Sequence, residues 1–157
     1  GLSDGFLVAL SKNEGRLIWE KRLHEGRKFV DVDGTPVISG KYTFTPSYDG
    51  SLYALTQGGK TVDWKFDSGA GRKVLVEKDR LYLPSSDGFV YAIQKESGKR
   101  IWKFELDNGV PTEIASSEKY LFFGSSFRYL YVLEKESFSS SSCLQNPYLL
   151  RLSFRDN

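Results

Sequence analysis

A chain of 157 residues forms one domain and buries about 70% of its unfolded surface on folding. Its 22 basic and 20 acidic side chains are spread along the chain for a net charge of +2, without the one-signed patch of a nucleic-acid binder. No apolar run approaches the ~20 residues that cross a membrane as a helix. A single cysteine, Cys143, rules out an internal disulfide and any metal site built on several thiolates.

Fifteen glycines and 15% aromatic residues, with no methionine, favour pleated surfaces joined by tight turns, so an all-β protein is expected. In chain order, residues 6–11 and 17–21 read as the two strands of a half unit spanning 1–23. Gly1 to Gly5 already lie inside that unit, so neither a signal peptide nor a lipidation cysteine is expected in this chain. A polar loop follows, holding His24, Arg27, Lys28, Asp31 and Asp33. The unit 35–66 then offers four strands. The first is entered through Pro36, the second is 42–45, and the Ser47-Tyr48-Asp49-Gly50 hairpin turn leads to the third at 51–56. A Gln57-Gly58-Gly59-Lys60 turn precedes the fourth at 61–66. The unit 73–105 repeats this with strands at 73–77, 80–83, 89–94 and 100–105. The unit 113–136 offers 113–116, 120–124 and 129–134. The tail 137–157 lacks alternation as far as Pro147, and 148–154 is a candidate last strand.

These units are copies of one another. Asp-Gly is followed fifteen residues after the Asp by Trp in Asp4-Gly5 to Trp19, Asp49-Gly50 to Trp64, and Asp87-Gly88 to Trp102. A fourth copy puts Phe127-Arg128 at the Asp-Gly position and Ser142 at the Trp position. The third strand of each copy is apolar on both faces, as in Leu52-Tyr53-Ala54-Leu55. Such a strand needs a sheet on each side, which radially stacked blades provide and a two-layer sandwich does not. The expected fold is therefore a β-propeller segment of about 3.5–4 four-stranded antiparallel blades, with each Trp wedged between neighbours. A partial ring leaves blade faces open, so self-association through those faces is expected.

Ser86-Asp87-Gly88-Phe89-Val90-Tyr91-Ala92-Ile93, followed by Ser97-Gly98-Lys99-Arg100-Ile101-Trp102, resembles the PQQ-like (WD40-like) propeller repeat in type and spacing. Within that superfamily, Asp31-Val32-Asp33-Gly34-Thr35-Pro36-Val37 and Gly15-Arg16-Leu17-Ile18-Trp19 are similar to segments of the BamB family of outer-membrane-assembly lipoproteins, in the C-terminal half of its eight-bladed ring. The resemblance implies a non-catalytic scaffold at the periplasmic face of the outer membrane, without a cofactor. It also implies that loop residues contact the periplasmic domains of a BamA-like barrel-assembly protein. Carried over, that contact falls on Asp31 and Asp33, with Arg27 and Lys28 as flanking rim charges.

Read without the resemblance, Asp31 and Asp33 fall on one side if the segment is extended, and either clamp a partner arginine or cap a turn before the Thr35-Pro36 strand. A calcium-loop reading lacks its later acidic ligands. His24 reads as a solvated loop residue, and residues 69–72 as a turn between blades rather than a phosphate loop. Two other functions share the repeat. One is a fragment of a quinoprotein dehydrogenase holding pyrroloquinoline quinone and calcium; the other is a lumenal stress-sensor propeller.

Overall fold

The computed structural model describes residues 1–23, 31–32, 34–47, 50–56, 58–59, 61–68, 72–127, 129–136 and 152–153. Fourteen strands are described: β1 (Phe6–Leu10), β2 (Leu17–Arg22), β3 (Val37–Ser39), β4 (Tyr42–Ser47), β5 (Ser51–Thr56), β6 (Val62–Asp67), β7 (Leu75–Glu77), β8 (Arg80–Pro84), β9 (Phe89–Gln94), β10 (Arg100–Glu105), β11 (Ala115–Ser116), β12 (Tyr120–Gly124), β13 (Tyr129–Glu134) and β14 (Leu152–Ser153). They form one two-stranded sheet, β1-β2, and three four-stranded sheets in which each strand pairs antiparallel with its chain neighbour. The fold is an all-β propeller segment, and these sheets are its blades, numbered one to four. In the fourth, β14 pairs with β13, Leu130 opposite Leu152.

The Asp-Gly repeat sets the turn between second and third strands. Gly5, Gly50 and Gly88 have φ of 87°, 84° and 91°, the left-handed region that a side chain resists. Each of these glycine carbonyls accepts a hydrogen bond from the amide eighteen residues on: Leu23 (2.9 Å), Ser68 (2.8 Å) and Leu106 (3.0 Å). The turn thereby holds the end of the fourth strand in its own blade. Where Asp87 is described, its carboxylate accepts from the Phe89 amide (3.2 Å) and the Tyr91 hydroxyl (2.7 Å). Burial and that carboxylate push the Tyr91 phenol up to about 12.

Alternation along the third strand sends one side chain forward to the next blade and the next one back. Phe44, Leu52 and Ala54 of the second blade pack against Leu81, Leu83, Tyr91 and Ile93 of the third. Tyr82, Val90, Ala92 and Trp102 of the third pack against Leu121, Phe123, Tyr131 and Leu133 of the fourth. Leu7 of the first meets Tyr53 and Leu55 of the second. The core is thus three layers between blades.

The repeat tryptophan fixes the spacing of those layers. A Cβ on Gly59 would fall 2.4 Å from the Trp19 ring, and one on Gly98 would fall 2.7 Å from the Trp64 ring. Each indole therefore lies flush on a bare backbone in the next blade, at the turn between its third and fourth strands. The Trp64 N–H also donates to the Lys95 carbonyl (3.1 Å). That is the wedge expected for these tryptophans.

Two strands run through a proline past the end read from sequence. Strands read as ending at Thr45 and Leu83 continue through Pro46, opposite Leu52, and Pro84, opposite Val90. A proline fits the last ladder positions before a turn, where its missing N–H costs no bond.

Candidate functional site

The segment that precedes β3 is pinned at both ends of its described part. Val32 is 2% exposed and packs with Leu7, Tyr53 and Leu55 between the first and second blades. Its amide donates to the Leu2 carbonyl (3.1 Å). Gly34 is buried, and a Cβ there would lie 2.6 Å from the Pro46 carbonyl oxygen, so only glycine fits. Ser47 Oγ donates to the Asp31 carbonyl (3.1 Å), tying this segment to the end of β4. With Val32 turned inward, Asp31 is exposed beside a small cleft of about 160 Å³ shared with Gly1, Leu2 and Ser3.

Asp31 is thus presented from an anchored base, at the rim that carries the Asp-Gly turns. Asp33, Arg27 and Lys28 lie outside the described residues, as do His24 and Cys143. Presented in this way, a carboxylate suits a charge-assisted hydrogen bond from an arginine or lysine of a partner.

The opposite rim carries a feature that sequence reading did not single out. A cavity of about 580 Å³ opens between the third and fourth blades, lined among others by Glu77, Arg80, Tyr82, Ser116 and Lys135. Lys135 is 7% exposed; its ammonium donates to Glu77 and to the Ser117 carbonyl (2.6 Å), while Ser116 Oγ donates to the other Glu77 oxygen. Burial raises the Glu77 carboxyl, but the Lys135 and Ser116 hydrogen bonds and the Lys135 charge together hold it below its usual value. One blade earlier, Lys95 occupies the same place and donates to Ser39 Oγ (3.2 Å) and the Lys78 carbonyl (3.3 Å). Both lysines follow a third strand and reach back to the first strand of the preceding blade. They are fasteners between blades, and the third-to-fourth one is ionic. Glu77 and Lys135 are 58 residues apart, so no local motif marks the pair.

The family model described as outer membrane protein assembly factor BamB matches residues 1–104. The BamB of Kangiella koreensis is 27% identical over 144 residues, covering 87% of this chain and 37% of that protein. Among solved structures, BamB from Moraxella catarrhalis superposes with a TM-score of 0.75 at 20% identity, covering 97% of this chain and 45% of that one. A quinohemoprotein alcohol dehydrogenase from Pseudomonas putida, at TM-score 0.56 and 20% identity, covers 66% of this chain and 19% of its own, a likeness of fold alone. The chain spans 23% to 37% of the length of the BamB relatives it matches.

Proposed function

The chain belongs to the family of outer membrane protein assembly factor BamB, and from that premise we propose that it is a non-catalytic, protein-binding scaffold for outer-membrane β-barrel assembly. It works at the periplasmic face of the outer membrane. It docks the periplasmic domains of a BamA-like partner through the rim that carries Asp31, with Asp33 beside it and Arg27 and Lys28 flanking.

One observation supports this reading above others. Residues 31–34 lie within the family match, and Val32 and Gly34 anchor the segment while Asp31 stands exposed. A recognition group on a fixed base loses little conformational entropy when it engages a partner. One carboxylate can accept two parallel N–H bonds from a guanidinium, which selects arginine over other cations.

The test is the affinity of this chain for purified periplasmic domains of a BamA-like protein. Asp31→Arg is expected to weaken binding about tenfold or more, the scale of losing a charged hydrogen bond, with the β-sheet circular dichroism unchanged. Unaltered binding would remove Asp31 from the contact. With pyrroloquinoline quinone, calcium and an alcohol added as electron donor, no reduction of a redox dye is expected, and alcohol-dependent dye turnover would overturn the non-catalytic reading.

A further inference from the structure

In the Asp-Gly turns of the first three blades the glycine amide is tied up. Gly5 donates to the Leu2 carbonyl (3.4 Å), Gly50 to the Ser47 carbonyl (3.1 Å) and Gly88 to the Ser85 carbonyl (3.3 Å). The one Asn-Gly pair of the chain, Asn108-Gly109, is built differently. It lies in the connection from the third blade to the fourth, between two pinned points. Leu106 is 6% exposed and donates its amide to the Gly88 carbonyl (3.0 Å). Val110 donates to Ser126 Oγ (3.2 Å) and accepts from the Ser126 amide (3.2 Å). Between these pins, Asp107 and Asn108 stand exposed. Gly109 has a φ of 80°, and a Cβ there would lie 2.4 Å from Ser126 Oγ and 2.6 Å from the Phe127 ring, so the position requires glycine. Among the described residues, neither the Asn108 side chain nor the Gly109 amide makes a hydrogen bond. The other described asparagine, Asn13, precedes a residue with a side chain, and that residue's amide donates to Ser11 Oγ (3.4 Å).

We propose that Asn108 is a site of spontaneous covalent modification, losing its amide through a cyclic imide closed by the Gly109 nitrogen. The Gly109 amide gives up its proton to hydroxide and attacks Cγ of Asn108. The new N–Cγ bond closes a succinimide ring, the Cγ–Nδ2 bond breaks, and ammonia leaves. Water then opens the ring at one carbonyl or the other, leaving aspartate or isoaspartate. In net terms, one water enters and one ammonia departs. The structure favours this step at Asn108 because the attacking nitrogen is in no hydrogen bond that must first open, and no side chain on Gly109 crowds it. In the Asp-Gly turns the nitrogen is engaged, and a charged carboxylate is a poorer electrophile than an amide. Two consequences follow from the position. A second carboxylate joins Asp107 on the rim that carries the Asp-Gly turns. In the isoaspartyl product the main chain also gains one carbon between the pins at Leu106 and Val110, which loosens the joint between the third and fourth blades.

Peptide mass spectrometry of the folded chain, aged at mildly alkaline pH, tests this directly. Trypsin cuts after Lys103 and Lys119 release Asn108 in one peptide, and cuts after Lys12 and Arg16 release Asn13 in another. The Asn108 peptide is expected to convert to aspartyl and isoaspartyl forms over a period in which Asn13 keeps its amide. Asn108→Gln, whose longer side chain closes such a ring poorly, is expected to stay unchanged. In urea, where turn hydrogen bonds are lost, Asp87 is expected to yield isoaspartate as well, whereas in the folded chain it does not. An Asn108 that survives in the folded chain while it converts in urea would overturn the proposal, because the loop would then protect it. Equal conversion at Asn13 and Asn108 would overturn it too, and isoaspartate at Asp87 in the folded chain would remove the role given to the amide hydrogen bond. Asn108→Asp carries the new charge without the added carbon. The isoaspartyl fraction is therefore expected to unfold at lower urea than Asn108→Asp, and equal midpoints would overturn the loosened joint.

Discussion

Leu55 and Leu10 hold the same place in the repeat, on the backward face of a third strand, yet one is 0% and the other 56% exposed. Among the described residues, the second and third blades are packed on both faces, while the first and fourth are each packed on one. A strand that is apolar on both faces is therefore a statement about neighbours, and whether its burial is realised depends on where in the stack it stands. The two fasteners make a second comparison of the same kind. Lys95 reaches a hydroxyl in the blade before it, and Lys135 reaches a carboxylate. Position in the stack sets how much apolar surface is buried, and local identity sets how the blades are hooked together.

The largest difference is expected between those leucines. Leu55→Ala is expected to cost about 2–5 kcal/mol, as for a truncated core side chain. Leu10→Ala is expected to cost within ~0.5 kcal/mol. Urea melts of both variants measure this, and equal losses would break the comparison. The tryptophan contact ranks next. Gly98→Ala places a Cβ 2.7 Å from the Trp64 ring on a backbone with φ of 67°, whereas the same change at Gly40, with φ of 60°, meets nothing within 4 Å. Gly98→Ala is therefore expected to cost more than the ~1–2 kcal/mol of left-handed strain that Gly40→Ala carries alone.

The ionic hook comes third. Lys135→Met strands the Glu77 carboxylate, whose side chain is only 28% exposed, and is expected to cost about 1–3 kcal/mol at pH 7, short of the loss for a fully buried pair. Lys95→Met, facing a hydroxyl, is expected to cost about 1 kcal/mol. Because the Glu77 carboxyl is held below its usual 4.5, its contribution is complete above that pH and is lost as pH falls through the lowered value. Acid titration of stability is expected to show this loss in the unmodified chain and not in Lys135→Met.

The smallest effect at neutral pH belongs to Tyr91→Phe, about 1 kcal/mol for one hydrogen bond. Its signature is alkaline. With the phenol raised from 10.0 to about 12, its stabilisation is whole below pH 10 and is lost as the pH climbs towards the folded value. Tyr91→Phe is expected to flatten part of that alkaline decline, and an unchanged profile would place the titration elsewhere.

Much of the architecture was legible because the repeat carries it. The fifteen-residue interval from Asp to Trp places a left-handed turn and a bulky aromatic on defined strands, and double-faced third strands demand stacking. What each tryptophan lands on was not legible. Gly59 lies 40 residues beyond Trp19 and Gly98 lies 34 beyond Trp64, because the loops between blades differ in length. The ionic hook was hidden for a similar reason, since Glu77 and Lys135 are ordinary charges until two blades bring them together. At the candidate site, the Asp31-Val32-Asp33 alternation pointed to carboxylates on one side. The same alternation also held the signal that Val32 turns into the core, which reading for charge alone passes over.

Amide hydrogen exchange on the dilute chain tests the difference between sealed and open blades most directly. Slow exchange is expected in β4, β5, β8 and β9, whose blades are covered on both sides, with markedly faster exchange in β1 and β2. Equal protection in β1 and β5 would contradict it, because two copies of one strand would then be equally stable with and without a neighbour on their backward face.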